Sequence, residues 1–480
     1  MGWRVKLDLV HVVYRLHLEN DLGGICGDGL KWGVSLNRTA IRMPCPSIAI
    51  IGAGLTGCCA ALELARLGHG VTLIEQDLLP MNRASLRNEG KIHLGLIYAN
   101  DPTLATARLQ LRAALRFRPL LERWLGSRVT RIGVSTPFDY LVARDSLLSP
   151  PQLAEFYARV DKMCQAEFEA DASLNYLGLR PERLAWRLGA GDAPKEVAAG
   201  LVQGVFRTQE RAIDTDDLAA QVREAVAAES RIRVLTEHQV GGVERIGGPR
   251  AAAGPTALGD GATGSEPRGR PAFAIIGTAR GKPFRIEAAQ VVNASWERRL
   301  VIDQTLGISS RPGVLHRLKY RVICRTPAAL AGCPSITIVI GRYGDVVIRP
   351  GGTAYLSWYP AGLQGWAPGV EPPRAWDAAC RGEPPADVAA SVAESTVAAL
   401  ARWIPALAGA EVLQVDAGAI VADGQTDVDD AASGLHSRAK SGVLSQDGYH
   451  SVDPGKLTAA PMFALEVAER VDRGLGGGGA

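Results

Sequence analysis

The stretch Ser47-Ile-Ala-Ile-Ile-Gly52-Ala-Gly54-Leu-Thr-Gly57-Cys-Cys-Ala-Ala constrains what this chain can fold into more than any other. Ile48 to Ile51 is an unbroken apolar run, which predicts a parallel strand buried on both faces. Gly52, Gly54 and Gly57 follow at the G-x-G-x-x-G spacing. The first glycine allows a tight turn, the second lets backbone approach a pyrophosphate, and the third lets the next helix press on the sheet. Cys58 to Leu67 is mostly Ala, Leu, Glu and Arg, so a helix is expected there with its free N–H groups aimed at the phosphates. Gly68 and Gly70 end that helix, and Val71 to Ile74 restart a strand with Glu75 at its tip. A carboxylate at that remove from the glycines is placed to hold a ribose hydroxyl. A glycine turn in an ordinary βαβ unit is the competing reading. Strand, glycines, helix, strand and acid in this order argue for a dinucleotide site.

A chain of 480 residues is long enough for two or more domains. Its 47% hydrophobic and 21% charged residues suit a globular protein. The net charge is only +3 and the basic residues are scattered, which excludes nucleic acid and anionic membrane surfaces as expected partners. Eight cysteines with no C-x-x-C pair fit a reducing compartment, so a cytoplasmic location is expected. Cys58 and Cys59 read as small packing residues of the first helix. No apolar run approaches the ~18 residues of a membrane span. At the amino end, Arg4, Lys6 and Asp8 break any secretory pattern. Because Met43 directly precedes the dinucleotide strand, residues 1–42 are expected to be a dispensable extension, or translation to begin at Met43.

After Glu75 comes Arg83-Ala-Ser85-Leu-Arg-Asn88-Glu-Gly90-Lys-Ile-His93-Leu-Gly95-Leu-Ile-Tyr98, a polar loop of small residues suited to lying against a planar ring. This run resembles the second signature of the FAD-dependent oxidoreductases of the D-amino-acid oxidase superfamily. The superfamily also holds glycerol-3-phosphate dehydrogenase, sarcosine oxidase and L-2-hydroxyglutarate oxidase. The resemblance implies FAD as cofactor, with Gly52, Gly54, Gly57, Glu75 and Ser85 among the residues that bind it. It implies an α/β fold: a Rossmann-like FAD-binding domain with a parallel sheet, and a second, mainly antiparallel α+β substrate domain.

Further along, helices are expected over Leu104–Trp124, Pro151–Ala170 and Asp214–Ala228, the last favoured by Asp214, Asp216 and Asp217 at its start. Strands are expected over Val129–Leu141, Gly200–Phe206, Arg231–Leu235 and Gln239–Val240. Residues 241–271, rich in Gly, Ala, Pro and Arg, read as a flexible excursion in a hairpin whose arms are Ala272–Gly277 and Pro283–Glu287. Gln290-Val-Val-Asn293-Ala294 follows as a strand, or alternatively as a core strand with a polar turn residue and no ligand. By resemblance, the backbone of Val240 faces the adenine, and Asn293 and Ala294 lie beside the cofactor. From Val314 to Tyr359 the period becomes two, with Pro and Gly turns, which predicts an antiparallel sheet; Asp387–Leu407 reads as a closing helix.

The last signature is Leu435-His436-Ser-Arg438 … Gly442-Val-Leu-Ser-Gln-Asp447-Gly-Tyr449-His450-Ser-Val-Asp453-Pro-Gly455-Lys456-Leu457-Thr458, with a helix over Ala459–Val471. That helix start can meet negative charge on a flavin edge. The resemblance assigns Gly455, Lys456, Leu457 and Thr458 to the cofactor, although Asp453-Pro454 stands where the family commonly has glycines. The expected division is a FAD-binding domain of 43–130, 210–310 and 415–475, and a substrate domain of 131–209 and 311–414.

A flavin carries the redox chemistry, so the protein needs neither a Ser-His-Asp set nor a metal, and the dispersed histidines give no metal-ligand spacing. His93 is expected as a base or orienting group beside the ring, or as a covalent tether; a buried structural histidine is the alternative. Arg438 is expected to fork onto a substrate carboxylate, as it does in several relatives, and a solvated surface arginine is the alternative. Tyr343, Trp358 and Tyr359 can wall the substrate space or simply serve as core aromatics. The expected reaction removes a hydride from a carbon bearing an amine or hydroxyl, in an amino acid, N-methyl amino acid or 2-hydroxy acid. Oxygen or another acceptor then reoxidises the flavin. A NAD-dependent dehydrogenase and a non-catalytic flavin-binding protein are the alternatives.

Overall fold

Strand Ile48–Ile51 has a hydrogen-bonded neighbour on each edge, pairing in parallel with Val71–Ile74 and with Gln290–Asn293. Its side chains are buried, as an uninterrupted apolar run requires. The computed structural model describes residues 48–189, 192–198, 200–246, 272–424, 426, 430 and 437–476. The amino-terminal extension, the start at Met43, residues 247–271 of the excursion and the pair Leu435–His436 lie outside the described residues.

The sheet built on Ile48–Ile51 has six strands, in the order Gly442–Gln446, Tyr449–Asp453, Gln290–Asn293, Ile48–Ile51, Val71–Ile74, Ile232–Leu235. All its pairings are parallel except the edge hairpin Gly442–Gln446 with Tyr449–Asp453. Helix Leu55–Arg66 begins directly after the glycine turn, and helix Ala460–Gly474 packs against it. The first helix presses on the turn before it through Gly57, where a Cβ would stand 1.9 Å from the Gly52 carbonyl oxygen. Helix Ala105–Leu125 is tied to the first helix by Glu63, which accepts from the guanidinium of Arg123 and the indole of Trp124. Despite the cost of burial, these bonds and that of Arg66 hold the Glu63 carboxyl down at about 2.

A second, nine-stranded sheet is organised on the twelve-residue strand Val314–Arg325. It pairs antiparallel with Thr353–Trp358, Leu363–Pro368 and Val412–Asp423. The sheet continues through Gly344–Ile348, Ser335–Val339, Phe138–Ala143, Val202–Thr208 and Ala185–Leu188, where only Ser335–Val339 with Phe138–Ala143 is parallel. Because Val412–Asp423 belongs here, the domain boundary expected at residue 415 falls inside a strand.

Three local expectations differ from the structure. Val129–Leu141 is not one strand: Gly126–Arg131 is a 3₁₀ turn, and pairing starts at Phe138, directly after Pro137, which has no N–H for a ladder. The expected helix Asp387–Leu407 ends at Ala401, and Pro405 opens a separate turn Pro405–Leu407. Gly241 does not begin an irregular segment, since strand His238–Arg245 runs through it. Thr305 fills the space where a side chain on Gly242 would lie, with the added Cβ only 2.8 Å away. Among the described residues, no helix is long and apolar enough to cross a membrane.

Candidate active site

The glycine turn projects from the carboxyl end of the parallel sheet, the place where open α/β folds bind ligands. Gly52 has a φ of +94°, and a Cβ there would come within 2.7 Å of the Ala294 carbonyl oxygen, so only glycine turns the chain at this point. A Cβ on Gly54 would meet the Ser85 hydroxyl at 3.0 Å. That hydroxyl accepts the Leu55 N–H (2.9 Å), which docks the loop after Glu75 onto the helix start. Glu75 is buried at its strand tip and accepts the N–H groups of Ala53 (2.8 Å) and Asp77 (3.0 Å). Burial pushes its carboxyl up to about 7, against the pull of those bonds and of Arg83.

These residues open onto a cleft of about 1460 Å³. Gly52, Gly54, Glu75, Ser85, His93, Val240, Ala294, Arg438, Gly455, Lys456 and Leu457 line it, so three segments far apart in the chain meet on one cavity. Gly57, Asn293 and Thr458 do not line it. Gly57 is the contact of helix on turn described above. The Asn293 amide is spent on the Arg299 carbonyl, Asp303 and Tyr449, which fixes the turn that exposes Ala294. Thr458 accepts the His93 N–H (3.0 Å) and donates to the Lys91 carbonyl, so it pins the His93 backbone.

A second cavity of about 1580 Å³ adjoins the first, and Glu89, Lys91, His93, Lys319 and Lys456 wall both. Tyr343 and Tyr359 line this second space, and Trp358 packs against Tyr343. Lys91 donates to Asp345 (2.7 Å) and to Thr337 (2.6 Å). Burial lowers Lys456 to about 8, with Arg438, Lys319 and Lys91 adding repulsion and Glu89 opposing. Burial opposes the charge on Glu89 too, yet His93, Lys456 and Lys319 hold its carboxyl well below the usual carboxylate range. His93 is 5% exposed, and neither ring nitrogen has a hydrogen-bond partner among the described residues. Burial moves it below its ordinary value, so the ring is neutral at neutral pH and free to accept a proton. Arg438 donates from Nε to the Gly455 carbonyl (3.0 Å) and from Nη1 to the Ser437 carbonyl (2.7 Å), and lines only the first cavity.

The model of one protein family, described as FAD dependent oxidoreductase (DAO), matches residues 47–470. The chain belongs to this family of FAD-dependent oxidoreductases. As a member of it, the protein is an enzyme with FAD as its cofactor. Solved structures show the same fold at low identity. Glycine oxidase from Geobacillus kaustophilus is 18% identical with a TM-score of 0.61, over 89% of this chain and 95% of that one. Iminodiacetate oxidase from Chelativorans sp. BNC1 is 18% identical with a TM-score of 0.57, over 88% and 94%. L-α-glycerophosphate oxidase from Mycoplasma pneumoniae, solved with FAD bound, is 15% identical with a TM-score of 0.54, over 90% and 95%. No curated protein matches the chain.

The first cavity fits FAD in its donor set. It offers a side-chain-free glycine turn at a helix N-terminus for phosphates and a buried carboxylate for a ribose. At the wall shared with the second cavity it offers the buried Lys456 and the unpartnered His93.

Several residues at this site escape a reading of motifs alone. Glu89 sits inside the second signature, but nothing about its spacing marks it. Lys319 carried a legible signal: Arg317, Lys319 and Arg321 alternate on one face of a strand, where an antiparallel sheet would ordinarily bury apolar side chains.

Proposed function

We propose that this FAD-dependent oxidoreductase removes a hydride from a carbon bearing an amine or hydroxyl on a small, carboxylate-bearing molecule. An amino acid, an N-methyl amino acid or a 2-hydroxy acid fits this description. The observation that carries the reading is the wall common to the two cavities: His93, Glu89, Lys319 and Lys456 face both the cofactor space and an adjoining chamber. Gly52, Gly54, Glu75, Ser85, Val240, Ala294, Gly455, Lys456 and Leu457 would hold FAD. Bound FAD supplies the acceptor for the electron pair that leaves with the substrate hydrogen.

The protein's own part is to orient the substrate and to take its proton. As the C–H bond breaks, the N–H or O–H proton must leave for a C=N or C=O bond to form, and neutral His93 is the buried base at hand. Lys91 is paired with Asp345, which also feels the charge of Lys319, and Glu89 stands in the field of Lys456 and Lys319. Three ammonium groups against two carboxylates leave positive charge for a substrate carboxylate. Arg438, its guanidinium bonded to two backbone carbonyls, also holds the Gly455 turn that presents Lys456.

The neighbours' names span both substrate classes: glycine and iminodiacetate carry amines, and glycerophosphate carries hydroxyls. We read the six-stranded sheet as the core of a FAD-binding domain and the nine-stranded sheet as that of a substrate domain. A cytoplasmic setting is supported by the described cysteines, all of which are unpaired. The test is anaerobic mixing of FAD-loaded protein with panels of amino acids, N-methyl amino acids and 2-hydroxy acids. Bleaching of the flavin absorbance by one class identifies the substrate. No bleaching by any panel, from protein that retains FAD, overturns the reading.

A further inference from the structure

Behind His93, on the side away from Glu89, lies a carboxylate that the chemistry above does not use. Glu210 is fully buried at the end of strand Val202–Thr208. Its Oε1 lies 3.8 Å from His93 Nδ1, and Glu89 Oε1 lies 3.5 Å from Nε2, so the ring stands between two carboxylates. Glu210 Oε2 accepts the N–H of Leu94 (2.7 Å), the residue next to His93, and Tyr140 donates its hydroxyl to Oε1. Tyr176 donates to the Ile92 carbonyl (2.9 Å) and Thr458 accepts the His93 N–H, so the backbone is tied on both sides of the histidine as well. A carboxylate wholly removed from water is costly and is retained where it has a partner charge. Among the described residues, the groups hydrogen-bonded to the Glu210 side chain are neutral, yet it faces a ring nitrogen that makes no hydrogen bond.

We infer that Glu210 is the positioning residue of His93: it fixes the plane of the imidazole and balances the imidazolium that forms when the ring takes the substrate proton. The inference rests on the reading of His93 as the proton acceptor. With a proton on each nitrogen, the ring has an anion facing each N–H, and neither charge is left alone in the interior. Glu89 is the nearer carboxylate and supports a proton on Nε2, but it also stands in the field of Lys456 and Lys319, and Nδ1 is left to Glu210. The other groups around the ring are Lys456, whose charge opposes protonation, and Tyr98, edge-on at 5.7 Å between centroids, with Lys91 and Arg438 on the same cavity wall. Among the described residues, Tyr98, Tyr140, Tyr157 and Tyr176, all buried and neutral, also feel the charge of Glu210, and Arg211 follows it in the chain.

The test is a ¹⁵N NMR titration of the histidine rings in FAD-loaded protein, with His93→Asn assigning the His93 signal. Since a neighbouring anion favours the protonated ring, Glu210→Gln is expected to lower the His93 pKa by about one unit. Glu210→Asp keeps the charge but withdraws it, and is expected to fall between the two. The same variant should lower kcat by roughly tenfold to a hundredfold with KM little changed, and move the acidic limb of the kcat profile downward with the ring. If Glu210→Gln does not fold, the size of the Glu210→Asp shift decides alone. An unchanged His93 titration in a folded, FAD-loaded variant overturns the inference. Full turnover by His93→Asn overturns instead the reading of His93 as base, and leaves the coupling of Glu210 to the ring to be judged by the titration.

Discussion

Lys456 walls both cavities, and burial with its cationic neighbours brings its ammonium down to about 8. The sign of its pH dependence follows directly: the cation is present below that value and lost above it. KM for a carboxylate substrate should therefore rise as pH passes about 8, while kcat is affected less. Lys456→Met should raise KM by roughly tenfold or more at neutral pH and abolish that alkaline rise. Steady-state kinetics from pH 6 to 10 check both, and a flat KM in the unaltered enzyme would remove Lys456 from the substrate's carboxylate. At this scale the sequence was partly legible. His93 stood out because it lies inside the second signature, with a buried structural histidine as the alternative. Glu210 did not, because only tertiary folding brings residues 93 and 210 together.

The loop from Arg83 to Gly90 carries Ser85 and Glu89 to the site, and it is held by ions as well as by the packing of Leu86 into the core. Asp416, fully buried on the strand Val412–Asp423, accepts from Arg87 Nη1 (2.8 Å), from Arg321 Nε (2.6 Å) and from Gln414. Arg321 in turn donates to the Leu86 carbonyl (2.8 Å). One aspartate of the nine-stranded sheet thus positions the loop on which the other sheet's cofactor cavity depends. Asp416→Asn leaves two guanidinium groups buried without a counter-charge and should cost about 3 kcal/mol or more. Urea denaturation of the variant measures this, and a loss under ~1 kcal/mol would show that the loop is held by something else. Periodicity read the elements themselves well, since strand and helix patterns are local. It placed the 415 boundary inside a strand because nothing in the residues Val412–Asp423 says which of two sheets will take them.

At the scale of the whole molecule, the three signatures are legible in order along the chain, and FAD binding follows from their order rather than from any single one. The nine-stranded sheet was visible as a change of period to two and as isolated strand patterns before it, such as Gly200–Phe206. Its strand order depends on pairings between residues as distant as Tyr140 and Phe206, which leave no trace in local sequence. Because one cavity gathers buried polar groups from all three signatures, FAD should act as a structural member as well as a reagent. At free FAD about a thousand times Kd, linkage predicts about 4 kcal/mol of added stability. Calorimetry of flavin-free and FAD-loaded protein should show a melting temperature several degrees higher with FAD, and equal temperatures would contradict a cavity that closes on it.

The wall formed by Arg438, Gly455, Lys456, Leu457 and Ala460 comes late in the chain, yet it faces the glycine turn that comes first. A polypeptide still emerging from the ribosome has its phosphate-binding turn early but lacks the opposite side of the cavity until residues 438–460 have been made. Loading of the vitamin-derived group is therefore expected only once translation has passed that point, and a product truncated before it should carry the nucleotide fingerprint without retaining flavin.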